Sequence, residues 1–336
     1  MSVEVPGTGG TTPPVRWGVI GPGRIADRFA NAMAMVPGGA IDAVASRSIE
    51  RAHAYGDRHG VPRRYGSYED LLADPEVDVV YVATPHSRHE GDTLMCLEAD
   101  KHVLCEKPFA LNADQARRMQ AAAAERGLFL MDGLWSRFLP AYRMLDDLIA
   151  AGRIGEPLLV EADFGFRREV DPQHRMFAPE LGGGALLELG IYPLHLAHSV
   201  LGVPGEVTAR GILGSTGVDE TTVAVLGYGD DRLAVLKASL RTTMACTARI
   251  SGTGGSVELP AFMHYPDSLT VTDDHGVERL DASFDGDGLR FEIEEVHRCI
   301  ASGRIESPLL PLSETVEMMS VLDTIRARIG LVYPGE

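Results

Sequence analysis

Apolar and polar positions follow two regimes along the chain. From Val15 to Met131, short apolar runs alternate with stretches of helical spacing. The runs are Trp17 to Ile20, Ala40 to Ser46, Val77 to Ala83, Val103 to Glu106 and Leu128 to Met131. Each has the length of a strand, and the run at Val77 reads as buried on both faces. Helices are predicted after the first run, over Glu90 to Ala99 and over Ala113 to Arg126. A shorter one is capped by Ser67 and ended by Asp74-Pro75. Strands alternating with helices point to a parallel, doubly wound sheet.

The pattern changes after Trp135. Pro140 to Ala151 reads as a helix stopped by Gly152. Strand-like stretches with Gly-rich turns follow at Pro157 to Phe166, Val207 to Leu213, Thr221 to Tyr228, Leu233 to Arg241, Thr247 to Gly252, Ser256 to Leu259 and Leu269 to Val271. Helical stretches lie at Gly184 to Leu201, Leu289 to Ser302 and Ser313 to Gly330. Strand runs of this kind make an open, mostly antiparallel sheet, so an α+β domain is expected over residues 137–336. No internal repeat is visible. At 336 residues, two domains are expected.

The first strand feeds into Gly21-Pro22-Gly23-Arg24-Ile25-Ala26, which matches the dinucleotide fingerprint G-x-G-x-x-G/A. Gly21 permits a tight turn. Gly23 lets a pyrophosphate approach the backbone, and Ala26 lets the helix lie close on the strand. Arg24 and Ile25 open that helix, whose free N–H groups face the phosphates. The fold class is α/β, with an N-terminal Rossmann sheet over residues 15–136. The second strand ends at Ala45-Ser46-Arg47, with Arg51 one turn on. A carboxylate at that end would hold the ribose 2′-hydroxyl of NAD. Two guanidiniums and a hydroxyl suit a 2′-phosphate, so NADP is expected before NAD. Asp42 has nearly the right spacing but falls at the wrong end of the strand.

Thr84, His86 and His89 stand at the carboxyl end of the third apolar run, where such sheets bind ligands. They are expected to line the cofactor. His86 and His89 have no third ligand nearby, so no metal is expected. Glu106 and Lys107 end the next strand, an expensive place for charge unless it has work to do. In the second half, Glu188, Tyr192 and His195 are spaced four and three apart, which sets them on one helical face. A carboxylate, a phenol and an imidazole there read either as a proton-transfer set or as packing residues.

Charge narrows the partners. The chain has 31 basic and 48 acidic residues, a net −17, which argues against nucleic acid and anionic membranes. The four cysteines show no CxxC spacing, consistent with a reduced, cytoplasmic protein. No apolar run is long enough to span a bilayer. Residues 1–14 lack the features of a signal peptide and read as a disordered tail.

The chain resembles the Gfo/Idh/MocA family of NAD(P)-dependent oxidoreductases. The resemblance rests on Gly21-Pro22-Gly23 with Ala26, on Glu106-Lys107-Pro108, and on Gly182-Gly183-Gly184 leading into Glu188-Leu189-Gly190-Ile191-Tyr192. Within the family it is most similar to the dimeric dihydrodiol dehydrogenases, which also oxidise D-xylose. Further local matches include Tyr65-Gly66-Ser67-Tyr68-Glu69, Trp135-Ser136-Arg137-Phe138 and Glu306-Ser307-Pro308. The resemblance implies a cis Lys107–Pro108 bond and a Lys107 placed beside the nicotinamide. It implies that Tyr192 is the general acid/base; Glu188 and His195, on the same predicted helical face, are expected to support it and Lys107. It places Arg47 and Arg51 on the 2′-phosphate, and Trp135 and Arg137 at the substrate, where His195 is also expected. A phenol titrates near pH 10, and the Lys107 ammonium is expected to lower that value. The family usually has Asp where this chain has Glu188. A misplacement near 1 Å costs about 100-fold in rate, so this departure bears on efficiency or substrate choice. The implied activity is hydride transfer between NADP and a secondary alcohol or ketone carbon of a sugar or vicinal diol, in a homodimer joined through the open sheet face. The alternatives are a ketoreductase of a nucleotide-linked sugar and a non-catalytic NADP sensor.

Overall fold

The computed structural model describes residues 15–229 and 231–336, so the tail expected over residues 1–14 lies outside the described residues. Six parallel strands form the first sheet: β1 (Arg16–Ile20), β2 (Ala40–Ala45), β3 (Arg63–Tyr65), β4 (Val79–Val82), β5 (His102–Glu106) and β6 (Leu130–Gly133). Their order is β3-β2-β1-β4-β5-β6, which reverses direction between β1 and β4. A crevice forms outside the carboxyl ends of the strands at such a reversal. Helices α1 (Arg24–Met33), α2 (Ile49–His59), α3 (Tyr68–Leu72), α4 (His89–Glu98) and α5 (Ala113–Arg126) connect the strands. Every residue of β4 is buried, as its apolar run requires. β6 starts two residues later than expected, because its ladder with β5 continues through Cys105–Asp132 and Glu106–Gly133. β3 is three residues long with two arginines, too short and polar to show a strand pattern.

After α6 (Pro140–Ala150), eight strands form the second sheet: β7 (Pro157–Gly165), β8 (Glu206–Leu213), β9 (Asp219–Tyr228), β10 (Arg232–Ser239), β11 (Ala248–Gly252), β12 (Gly255–Leu259), β13 (Ser268–Asp273) and β14 (Gly276–Asp281). The order is β14-β13-β12-β11-β7-β10-β9-β8. Only the β7–β10 pair among these is parallel; the other pairs are antiparallel, as expected. β14 is an exposed edge strand without an apolar alternation, which is why the sequence hides it. One face is covered by α7 (Ile191–Leu201), packed on β7, and by α9 (Leu312–Ile329), packed on β8. α8 (Leu289–Ala301) instead lies against α1 of the first sheet. The other face of the second sheet leaves Ile212, Val223, Val225 and Leu233 exposed on three adjacent strands.

Candidate active site

The turn after β1 is dictated by sterics. Gly21 has φ +80°, and a Cβ there would lie 2.8 Å from the Ala83 carbonyl oxygen and from Thr84 Cγ2. Gly23 is extended, and among the described residues a Cβ there would approach only the Gly21 oxygen within 4 Å, at 3.8 Å. The space beside Gly23 is therefore open, at the start of α1, where unpaired N–H groups point outward. Arg24 is exposed and Ile25 half-buried in that first turn. Across the crevice, the buried Thr84 Oγ1 has no hydrogen-bond partner among the described residues. An open glycine, free amides and an orphaned hydroxyl fit the phosphates of a dinucleotide.

At the end of β2, Ser46 is buried and its hydroxyl accepts the Ser48 N–H at 3.3 Å. Ser48 in turn caps α2. Arg47 and Arg51 are exposed, and together with Arg88 they face Tyr68. Burial raises the Tyr68 hydroxyl above its usual range, while the three guanidiniums oppose that rise. Asp42 lies instead among Arg63, Arg16 and Asp78, toward the other end of the sheet. The rim at β2 thus carries cations and suits a phosphate on the ribose.

The two histidines have different environments. His89 is fully buried, with Nδ1 2.8 Å from the Pro108 oxygen and Nε2 2.9 Å from the Thr84 oxygen. Burial pushes it down to about 3, so the ring is neutral and donates through one nitrogen at a time. It braces the ends of β4 and β5 from behind the crevice. His86 reaches the facing wall, with Nδ1 2.9 Å from the Gly182 oxygen and Nε2 3.3 Å from Glu188 Oε2. Among the described residues, no group of three His, Cys, Asp or Glu side chains could hold a metal ion.

Lys107 closes β5, and its bond to Pro108 is cis. Its Nζ donates to the Glu188 carbonyl oxygen at 3.0 Å and lies 5.1 Å from the centre of the Tyr192 ring. Burial pulls the ammonium down, but Glu188, Tyr192 and Glu106 outweigh it and hold Lys107 above its usual value. Glu106 accepts from the Tyr81 hydroxyl and from the Lys107 N–H. Burial nevertheless raises its carboxyl. Behind it lie two further buried carboxyls; burial pushes Asp132 up to about 8 and Glu292 well above the carboxylate range.

Glu188 takes the opposite course. Burial would raise it, yet Lys107, His86 and Arg175 hold it well below the usual range. Arg175 grips it with a two-pronged fork, Nη1 to Oε2 at 2.6 Å and Nη2 to Oε1 at 2.7 Å. The nearest Glu188 carboxylate oxygen, Oε1, lies 3.8 Å from Lys107 Nζ. Arg175 was not legible in the sequence, because it sits in a loop with Arg167, Arg168, Glu169 and Asp171 that reads as solvated.

The predicted helix begins as a π turn, Leu186–Gly190, before α7. Asp219 fixes its start by accepting the Leu186 N–H at 2.9 Å. Gly184, at φ +126°, leaves room for that carboxylate. Glu188 and Tyr192 both border Lys107, but His195 does not share their surroundings. Three residues on from Tyr192, it points about 60° round the helix. Its ring packs 5.4 Å from Tyr142, and neither ring nitrogen has a partner among the described residues. The one-face expectation therefore holds for Glu188 and Tyr192 and not for His195. Arg137 is likewise turned away: it donates to the Leu309 oxygen at 2.7 Å and lies 3.4 Å from Asp146.

Trp135 sits in a short 3₁₀ turn and donates its indole N–H to the Tyr192 hydroxyl at 3.1 Å. An indole N–H only donates, so the phenol oxygen accepts there and its own hydrogen is free for another partner. His264, missed in the sequence, packs 4.3 Å from Phe164 and 4.9 Å from Tyr192, with Tyr265 against both His264 and Trp135. Burial raises Tyr192 and Lys107 only partly opposes it, so the hydroxyl stays above its usual value. This corrects the expected lowering: loss of solvation outweighs the ammonium. At neutral pH the site holds a phenol and an ammonium beside a carboxylate.

The order of the parallel sheet, the glycine turn and the lysine–tyrosine neighbourhood together define a dinucleotide-dependent oxidoreductase fold. Family comparison agrees along most of the chain. Residues 15–134 match "Oxidoreductase family, NAD-binding Rossmann fold", and residues 142–258 match "GFO/IDH/MocA C-terminal domain". The chain belongs to the Gfo/Idh/MocA oxidoreductase family. It is 37% identical to the trans-1,2-dihydrobenzene-1,2-diol dehydrogenase of Xenopus laevis over 332 residues, covering 95% of this chain and 99% of that protein. Among solved structures it is similar to a 3-ketoreductase from Actinomadura kijaniata in complex with NADP and TDP-benzene, with TM-score 0.84, 28% identity and coverage of 94% and 98%. It is also similar to an aldose-aldose oxidoreductase from Caulobacter crescentus complexed with glycerol, with TM-score 0.85, 26% identity and coverage of 94% and 97%.

Proposed function

We propose that the protein is an NADP-dependent dehydrogenase/reductase acting on a secondary alcohol, or its ketone, in a vicinal diol or sugar. The observation that carries the proposal is the half-buried Lys107 set against the buried Glu188 and Tyr192 at the carboxyl edge of the sheet. Its support is the family membership and the relatives' names. NADP, when bound, supplies or accepts the hydride at its nicotinamide. Gly21, Gly23 and Thr84 seat the phosphates, with Arg24 and Ile25 at the helix start. Ser46, Arg47 and Arg51 take the 2′-phosphate, with Arg88 beside them.

The proton chemistry belongs to the chain's own side chains. Tyr192 gives its proton to the oxygen of a bound ketone and takes it back when the alcohol is oxidised. Lys107 holds that oxygen with a charged hydrogen bond and stabilises negative charge developing on it. Glu188 keeps Lys107 charged, and Arg175 keeps Glu188 ionised. Trp135, Phe164, His264 and Tyr265 form the apolar wall on the substrate side, which suits a cyclic diol.

The organisation proposed is a cofactor part over 15–136 and a substrate part over 137–336. The open face with Ile212, Val223, Val225 and Leu233 pairs two copies into a homodimer, in keeping with the rule that a sheet face this apolar needs a cover. A cytoplasmic setting suits four buried, unpaired cysteines. Among the described residues, no helix is long and apolar enough to cross a membrane.

The test is a spectrophotometric assay of NADP and, separately, NAD over trans-dihydrodiols and aldoses. Turnover with NADP that disappears in Lys107→Met supports the reading. Oxidation of NADPH by a nucleotide-linked keto sugar, with no diol or aldose turned over, would transfer the assignment to the sugar-nucleotide ketoreductases.

A further inference from the structure

Arg28 lies one turn into α1, the helix whose first turn faces the cofactor crevice. It reaches across to Asp287 with a two-pronged fork, Nε to Oδ2 at 2.9 Å and Nη2 to Oδ1 at 2.8 Å. The same Asp287 carboxylate accepts the N–H of Leu289 at 3.1 Å, the first residue of α8. Between them, Gly288 has no side chain, and a Cβ there would fall 2.7 Å from Trp135 Cζ3. The strap before α8 is thus laid directly on the indole. The Arg28 guanidinium stands 5.2 Å from the centre of that indole. The far edge of the contact chain is the Trp135 N–H on the Tyr192 hydroxyl, at 3.1 Å.

We propose that Arg28 is a positioning residue for Tyr192: anchored on Asp287, it holds the Trp135 indole so that its N–H fixes the reacting hydroxyl. This rests on the reading of Tyr192 as the proton donor. A planar guanidinium forked onto a carboxylate is fixed in orientation as well as position. A cation over an indole adds a preference for one arrangement of the pair. As an isolated surface ion pair, Arg28–Asp287 would contribute little to stability. Its placement over Trp135 gives it a different effect, because a hydroxyl displaced by a fraction of an ångström transfers its proton poorly. The link also joins the cofactor helix to the substrate wall through three short contacts.

Arg28 adds charge as well as shape. The charged and titratable groups facing Tyr192 are Lys107 and Glu106 from the end of β5, Glu188 from the π turn, Arg175 from the loop after β7, His264 from the segment after β12, Tyr142 from α6, and Arg28 from α1. Removing one cation from this set favours the neutral phenol further.

The test uses the full chain with NADP and trans-1,2-dihydrobenzene-1,2-diol. Arg28→Met is expected to lower kcat roughly tenfold, from displacement of the hydroxyl. NADP affinity, measured by titration, stays within about twofold of the wild type. The rising limb of kcat against pH moves to higher pH. Arg28→Lys returns the limb towards its original place, because the charge is restored, and recovers only part of kcat, because a lysine cannot fork. Asp287→Asn, which keeps the side-chain shape, lowers kcat in the same direction, and combined with Arg28→Met adds no further loss. A pH limb and kcat unchanged in Arg28→Met, with Tyr192→Phe inactive, would overturn the proposal alone. NADP affinity falling in step with kcat, with the limb unmoved, would also overturn it, because Arg28 would then belong to the cofactor seat. Full activity in Tyr192→Phe would instead remove the reading on which the proposal stands.

Discussion

The edge of the parallel sheet and the wall facing it are built from different materials. At the edge, the work falls to backbone: Gly21 turns where a Cβ would strike Ala83, Gly23 leaves an opening, and α1 presents its amides. On the wall, the work falls to side chains brought from far apart in the chain. Trp135, Arg175, Glu188 with Tyr192, and His264 come from four separate segments. A backbone device is local, so it tolerates change around it but not within it. A side-chain device depends on every packing contact that aims it, so it can be retuned one residue at a time.

The two carboxylates beside Lys107 show the same contrast on a smaller scale. Glu106 comes from the strand and is hydrogen-bonded by a tyrosine and a backbone N–H, and burial raises it. Glu188 comes from the wall and is forked by Arg175, and its carboxyl is driven down. Both are buried, yet their carboxyls shift in opposite directions, because only Glu188 is held by a second cation.

The largest expected effect comes from the wall. Tyr192→Phe should lower kcat on a verified substrate by about 100- to 1,000-fold while NADP still binds, as measured by turnover alongside a binding titration. A variant that lost both together would blur the division between edge and wall. Next is the glycine pair. Gly21→Ala should cost about 2 kcal/mol of stability from the left-handed backbone and the clash, and lose NADP affinity with it. Gly23→Ala should keep the melting temperature within about 2 °C and lose affinity alone, since its Cβ meets only ligand space. Calorimetry with cofactor titration separates the two.

A third change tests the fork. Arg175→Met leaves a buried carboxylate with one partner fewer and should destabilise the fold by about 2 kcal/mol. The sign with pH follows from Glu188. Its folded value lies below the unfolded one near 4.3, so its contribution is full above that value and is lost as pH falls through the folded value. In Glu188→Gln the melting temperature should therefore fall less steeply between pH 5 and pH 3 than in the wild type. The smallest effect is at the rim. Removing either guanidinium in Arg47→Ser or Arg51→Ser should weaken NADP roughly tenfold, one charge-assisted bond each, and leave NAD binding nearly unchanged.

The same division explains how much was legible in the sequence. The edge could be read because its signals are contiguous: an apolar run, a glycine turn and a cationic strand end. Lys107 and Glu188-Leu189-Gly190-Ile191-Tyr192 stood out as motifs. Arg175 and His264 did not, because their place depends on packing between segments distant in sequence. His195 was misjudged for a related reason. Spacing set it on one face with Glu188 and Tyr192, but the π turn and the helical angle carry it into the core beside Tyr142. β3 and β14 escaped notice because polar, short or exposed strands have no alternation to betray them.

The central claim is that Lys107 and Tyr192 form an ammonium–phenol pair that is loaded to give a proton at neutral pH. The measurement that tests it most directly is the pH dependence of kcat in both directions, NADPH-linked reduction and NADP-linked oxidation, for the wild type and Tyr192→Phe. With the phenol raised by burial, reduction should hold level across neutral pH and fall only in the alkaline range, while oxidation rises over that same range; Tyr192→Phe should abolish both limbs. A reduction rate that declined below pH 8, or limbs that survived in Tyr192→Phe, would contradict the account.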